Sequence, residues 1–246
     1  MAISAIGTQM TLGGARLDAV LQGFDIDTPM DTHDSSLLFE QARRYVAGQQ
    51  DGRIRFHGVM EKEEAEYLAG RVNNNLVPVS ISLGDTDRGL IGYCQVTDFG
   101  FMSATDDIAR VSGDLQLTGD THTSQPLGAP LVPAWRLLND KEHPITTTHN
   151  APAVDVNLTG SNDWVAWIIL ESRVGNHNSF PVHIQQGNSA GGSFADIGSQ
   201  QMPGTETTHA FHRVAGNDTL LRYIRARTNA SFGVGSADMV VWFAVV

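Results

Sequence analysis

A single cysteine, Cys94, is all the thiol chemistry that this sequence of 246 residues holds. One thiol closes no intrachain disulfide and builds no thiolate metal cage, so stability has to come from an ordinary buried core. A chain of this length can supply one, because it buries roughly three quarters of its unfolded surface. Cys94 itself sits in the apolar run 90–96 and reads as a buried strand cysteine. Long apolar runs are missing as well: none approaches the roughly 20 residues of a membrane helix, and the first five residues lack the basic start and apolar core of a secretion signal. The expectation is a soluble protein without a membrane anchor, synthesised in a cytoplasm.

Basic residues are scarce. Sixteen Lys and Arg against 27 Asp and Glu give a formal charge of −11, which argues against a surface that grips nucleic-acid phosphates, since such binding is driven by counterion release onto basic groups. The imbalance is uneven. Residues 1–147 carry 20 acids and 11 bases, whereas residues 148–246 carry 7 and 5.

Prolines are few, and five of the nine fall between residues 121 and 152. Each lacks an amide donor and restrains its neighbour, so residues 126–152 read as an extended, Pro-rich linker between a domain over 1–125 and a second over 153–246. Within it, residues 134–138 are apolar enough to fold back onto a domain. Before the linker, residues 16–27 alternate as a strand. A helix is expected next, capped by Asp34 or Ser35, with Leu38, Ala42, Tyr45 and Val46 at helical spacing and Gly48 at its end. Residues 53–60 alternate again, and Glu61, Glu63, Glu64 and Glu66 suit the first turn of a second short helix.

The most regular pattern is a long hairpin. Residues 89–101 and 108–118 flank the turn-forming Ser103, Ala104, Thr105, Asp106 and Asp107. On the second arm Arg110, Ser112, Asp114, Gln116 and Thr118 share one face, and Val111, Leu115 and Leu117 the other, so one face is wet. Beyond the linker, short apolar or alternating runs at 154–158, 164–172, 181–186, 208–214, 220–228 and 239–246 are separated by Gly, Asn and Ser, the spacing of a β-sandwich of jelly-roll or immunoglobulin-like type.

Residues that could carry chemistry are weak by spacing. No nucleophile elbow, phosphate loop or zinc-protease motif occurs, so no enzyme, catalytic residue, cofactor or metal is assigned. The glycine-rich 189–193 reads as a hairpin tip. His209 and His212 are an odd offset apart and would point to opposite strand faces, and His143 with His149 lacks a third ligand. Asp85, Asp87, Asp106 and Asp107 read as turn residues rather than a calcium loop. Arg222, Arg225 and Arg227 cluster in the second half, where Trp164 and Trp167 would need to be exposed to form a sugar-stacking platform.

Residues 42–59, with Arg43, Tyr45, Gly48, Asp51, Gly52 and Gly58, resemble a pattern of the major tail (tail tube) proteins of tailed bacteriophages: a short helix, a glycine turn, then a strand ending in Gly. Residues 77–84, 92–97 and 109–119 are similar to later strands of the same family, so the likeness spans about 16–120. Residues 182–189, 194–198 and 222–226 resemble an accessory β-sandwich appended to some such proteins. The resemblance implies a mainly β fold, a tail-tube-like sandwich or barrel with one or two short helices plus a C-terminal sandwich. It also implies a structural role in the virion tail: hexameric rings stacked into a tube that conducts DNA, touching tape measure and tail terminator proteins, with DNA only in transit. Asp18, Ser112, Asp114 and Gln116 would then face the lumen, and Ser103 to Asp107 would lie between subunits or rings. The stretches 1–15, 28–34 and 103–107 are expected to order only on assembly. A capsid decoration protein, a neck or tail completion protein, and a carbohydrate-binding virion module share this composition and remain alternatives.

Overall fold

The computed structural model describes residues 9–17, 21–27, 30–34, 45–50, 52–61, 66, 69–70, 76–82, 86–103, 108–118, 127, 129–139, 148–158, 160–176, 179–206, 208–229 and 234–246. These are almost entirely strand: β1 (Met10–Leu12), β2 (Ala15–Arg16), β3 (Leu21–Asp27), β4 (Met30–Asp34), β5 (Tyr45–Gln50), β6 (Gly52–Glu61), β7 (Val77–Ser82), β8 (Arg88–Ser103) and β9 (Ile108–Thr118). There follow β10 (Leu131–Asn139), β11 (His149–Asn150), β12 (Val154–Asp155), β13 (Gly160–Asn176), β14 (Phe180–Gly187), β15 (Phe194–Met202), β16 (Thr208–Leu220), β17 (Tyr223–Thr228) and β18 (Val234–Val245). The mainly β expectation holds.

An 11-stranded sheet runs β16-β13-β18-β10-β8-β7-β1-β2 and branches at β8 into β9, β6 and β3. The branch exists because β8 is 16 residues long. Its first part has β10 on one side and β7 on the other, and from Tyr93 onward β9 replaces β10. A 5-stranded sheet, β11-β17-β14-β15 with β12 beside β17, covers the C-terminal part, and among the described residues β4 pairs only with β5.

Three apolar clusters follow from this layout. One lies among β1, β6, β7, β8 and β9, with Leu12, Ile54, Val79, Ile81, Cys94 and Leu115 fully buried. A second lies between the two sheets of the C-terminal sandwich, around Trp164, Ile168, Leu170, Val182, Ile184 and Phe243. The third sits on the opposite face of β13 and β18, around Trp167, Trp242, Tyr93 and Ile91. Because both faces of β13 and β18 are covered, residues 164–170 and 239–244 are continuously buried, which explains their unbroken apolar runs.

The expected linker is the main departure. Residues 131–139 form β10, which pairs with β8 through Leu131–Trp135 and with β18 through Trp135–Asn139. Pro133 is tolerated because β18 joins only from Trp135, leaving one side of β10 without a described strand at the residue that has no amide donor. One sheet therefore spans both halves of the chain. Its ends also meet. The Gly13–Gly14 turn between β1 and β2 lies against the start of β16, where a Cβ on Gly14 would stand 2.6 Å from His209 Cα, and Gly14 itself has φ +94°. Beside it Arg16 reaches Glu171 of β13 at 3.5 Å, with both side chains 10% exposed.

Other expectations change too. The first expected helix is replaced at its C-terminal end by strand β5, paired with β4, and residues 35–44 lie outside the described residues. Of the second, Glu66 and Ala69 are helical, and the Gly70 N–H donates to the Glu66 carbonyl at 3.1 Å. Of the stretches expected to order only on assembly, Met10 and Leu12 are core residues of β1 and Met30–Asp34 is strand β4, while residues 1–8, 28–29 and 104–107 lie outside the described residues.

Candidate functional site

The branch β3-β6-β9-β8 forms a four-stranded sheet with one buried and one hydrated face. Strict alternation on β9 produces it: Val111, Leu115 and Leu117 are buried, while Arg110 and Ser112 are exposed and Asp114, Gln116 and Thr118 half-buried. Register fixes what stands beside them. Arg53 lies opposite Gln116, Arg55 opposite Asp114 and His57 opposite Ser112, while Asp25 faces Arg55 and Asp27 faces Arg53 across β3. On β8 a bulge after Val96 sets Thr97 and Asp98 beside Asp114, and the Thr97 hydroxyl donates to the Asp114 carbonyl at 3.0 Å.

Asp114 is the hub of this face. Arg53 Nη2 donates to Asp114 Oδ2 at 2.5 Å, and Arg55 Nε stands 3.6 Å from Oδ1. The Gln116 side-chain amide donates back to the Gly52 carbonyl at 3.1 Å, and Ser112 lies beside Gly100, where a Cβ would meet its hydroxyl at 3.4 Å. Three of the four lumen candidates, Ser112, Asp114 and Gln116, thus share one face, and Asp18 lies outside the described residues. Sequence reasoning missed their partners Arg53, Arg55, Asp25 and Asp27. Their alternation with Ile54, Phe56 and Ile26 was the available signal. Of the turn candidates, Ser103 ends β8, and Ala104, Thr105, Asp106 and Asp107 lie outside the described residues.

This sheet has open sides. Among the described residues β3 pairs only with β6, and no described strand lies against β8 on the side away from β9 beyond Cys94.

The remaining candidates resolve differently. Trp164 and Trp167 are fully buried, so they form no sugar platform. The Trp164 indole donates to Asp218 at 2.7 Å and its ring stacks on Phe243, while Trp167 meets Tyr93 and Phe211. His212 pairs with Glu206 at 2.7 Å, and His209 lies in the contact with Gly14. Among the described residues no three His, Cys, Asp or Glu side chains are grouped to hold a metal ion. The 189–193 segment is the exposed tip between β14 and β15. Burial pushes the Cys94 thiol far above its ordinary range, and its Sγ lies 3.5 Å from the Val77 carbonyl.

No protein-family profile matches the chain, and no curated protein matches it. Among solved structures, the search returns the tail of an empty gene transfer agent particle refined with C6 symmetry, at 14% identity and TM-score 0.37, covering 47% of this chain and 92% of that one. It also returns the SPP1 Dit protein, described as a paradigm of the hub adsorption apparatus in phages infecting Gram-positive hosts, at 9% identity and TM-score 0.37, covering 97% and 99%. A third is the phage P2 baseplate in its activated, calcium-containing conformation, at 7% identity and TM-score 0.29, covering 96% and 97%. The three are described as a tail, a hub adsorption apparatus and a baseplate, and at TM-scores below 0.5 the likeness carries no argument about this chain.

Proposed function

We propose that this chain is a non-enzymatic structural subunit of a phage-type virion tail, assembling as hexameric rings that stack into a tube for DNA passage. The observation that carries the reading is the four-stranded sheet β3-β6-β9-β8, whose outer strands each lack a further partner among the described residues and which carries a polar face of paired charges. Open edges invite pairing, and a protein that presents two of them on opposite sides of one sheet satisfies both by head-to-tail closure into a ring. The hydrated face then lines the bore, with Asp18, Ser112, Asp114 and Gln116 towards the lumen and Ser103 to Asp107 in the loop between rings. Tape measure and tail terminator proteins are the expected neighbours, and DNA passes without binding.

The division into 1–125 and 153–246 enters the same proposal, supported by one apolar cluster drawn from residues 10–117 and another from 135–243, with a third, around Ile91, Tyr93, Trp167 and Trp242, joining them. Pairing of β10 with both sides also favours a second reading, a tail-completion ring that presents a rigidly joined C-terminal sandwich and does not stack. Negative-stain imaging of the concentrated chain separates them: tubes of sixfold rings support the first reading, and isolated rings that never stack support the second. Monomers at every concentration refute both.

A further inference from the structure

The outer face of the 5-stranded sheet is a grid of polar groups. On β17, Ile224, Ala226 and Thr228 are buried, which turns Tyr223, Arg225 and Arg227 outward. Register sets Gly187, Gln185 and His183 of β14 opposite these three, and Phe194, Asp196 and Ser199 of β15 opposite those in turn. Asn150 of β11 stands on the other side of Arg227.

Two features distinguish this grid from a solvated strand face. First, Arg225 is held in place. A Cβ on Gly187 would come within 3.1 Å of the Phe194 ring, so the bare backbone there lets that ring lie across the sheet, and the Arg225 guanidinium stacks on it at 4.0 Å. Arg225 Nε donates to Gln185 Oε1 at 2.9 Å, and Gln185, 4% exposed, donates in turn to Asp196 at 2.7 Å. Second, the nearby carboxylates are already engaged. Asp196 accepts from Gln185 and stands 2.9 Å from His183 Nδ1, which makes no hydrogen bond with it, and Asp155 is held by Arg222 at 2.6 Å. Neither Arg225 nor Arg227 has a carboxylate partner among the described residues; the Arg227 contact is to Asn229 Oδ1 at 3.4 Å. Two guanidinium groups therefore share one strand face at alternate positions, roughly 7 Å apart along the strand. Burial, and after it the charge of Arg227, hold Arg225 below its usual value.

We infer that this face binds an acidic polysaccharide, with Arg225 and Arg227 receiving its carboxylate or sulfate groups and Asn150, His183 and Ser199 meeting its hydroxyls. Charge complementarity selects the occupant: the arginine pair is positive on a chain of net charge −11, and a guanidinium fork matches an oxyanion in bidentate fashion. The surrounding amide, imidazole and hydroxyl groups favour a polyhydroxyl chain over an acidic peptide.

Affinity electrophoresis of the full chain through gels containing polygalacturonate, dextran sulfate, neutral dextran or poly-glutamate tests this. The expected result is retardation by at least one of the two acidic polysaccharides, which shows whether carboxylate or sulfate is preferred, and none by dextran or poly-glutamate. Arg225→Gln with Arg227→Gln should weaken retardation at least tenfold, whereas Arg43→Gln with Arg44→Gln, which removes the same charge from the first half of the sequence, should leave it unchanged. If the first pair lowers the melting temperature, Arg225→Lys with Arg227→Lys keeps the charge without the fork and should still weaken binding severalfold. No retardation by either acidic polysaccharide, equal retardation by poly-glutamate, or equal loss in the Arg43 and Arg44 variant would overturn the inference.

Discussion

Replacing Leu170 by Ala tests whether the sheet shared by both halves makes them one cooperative unit. Leu170 is fully buried on β13, between Ala210 of β16 and Met239 of β18, inside the C-terminal sandwich. Truncating such a leucine costs about 3 kcal/mol, from lost transfer energy and the cavity left behind. With a urea slope of about 3 kcal/mol per M for a chain of this size, the midpoint should fall by about 1 M. The molecule carries its own two reporters. All four tryptophans, Trp135, Trp164, Trp167 and Trp242, lie on β10, β13 and β18, whereas Cys94 lies on β8 in the other core. Tryptophan fluorescence follows one half and thiol labelling the other, since a buried thiol with a raised pKa reacts only on opening. Because β10 hydrogen-bonds to both β8 and β18, loss of the sandwich strips a partner from β8, and both transitions should move together by the same amount. A fluorescence midpoint that falls while the Cys94 midpoint stays fixed would refute a shared cooperative unit and restore two domains on a passive connector.

Two further perturbations probe single contacts. Gly14→Ala places a methyl 2.6 Å from His209 Cα at a residue with φ +94°, so it should cost about 2 kcal/mol and lower the melting temperature by about 4–8 °C; an unchanged melt would mean that the two ends of the sheet are not locked there. The Asp155–Arg222 pair predicts an acid-side effect. Hydrogen bonding to Arg222 holds the Asp155 carboxyl below its ordinary 3.8, so its contribution is complete above that value and disappears as pH falls through the lower folded value. Asp155→Asn should therefore lower stability at pH 6, and the wild-type and variant urea midpoints should draw together as pH falls below 3.8; a gap that stays constant through the acid range would count against it.

The hairpin was legible because its second arm has one wet side, so alternation from Arg110 to Thr118 survives intact. The runs at 164–170 and 239–244 were legible as strands for the opposite reason, being covered on both faces. β10 was hidden by local chemistry. Pro130 and Pro133 argue for a connector, and only the staggered partners on either side make a proline acceptable there. β15 was hidden by its polarity: Phe194 to Met202 is an outer strand whose residues are mostly exposed or half-buried, with Gly198 in the place where it closes onto Trp164. The spacing of Leu38, Ala42, Tyr45 and Val46 fits a helix, but pairing of Tyr45–Gln50 with β4 decided the matter for Tyr45 and Val46. On the candidate site, sequence located Ser112, Asp114 and Gln116 on one face but not their counter-charges, because neighbours across strands are set by register, which a single sequence does not fix.

Those counter-charges alter the argument about DNA. An excess of acids over bases in residues 1–147 suggests a repelling surface, yet the described face sets Asp25, Asp27, Asp98 and Asp114 against Arg53, Arg55 and Arg110, close to balance. What matters for a sliding polyanion is then whether the arginines are available. Arg53 and Arg55 both converge on Asp114, so a phosphate approaching either one competes with a carboxylate already in place and gains little from counterion release. Asp114→Asn removes the shared acceptor and frees two guanidinium groups per subunit. In the proposed tube the variant should assemble normally but hold duplex DNA, with an affinity that falls with salt at a logarithmic slope of about −2 per engaged subunit, and DNA ejection should slow accordingly. Salt-dependent retention of duplex DNA on assembled tubes measures the slope directly. If Asp114→Asn tubes retain no more DNA than wild-type tubes at low salt, then Arg53 and Arg55 do not face the bore, and the hydrated side of this sheet lies elsewhere in the ring.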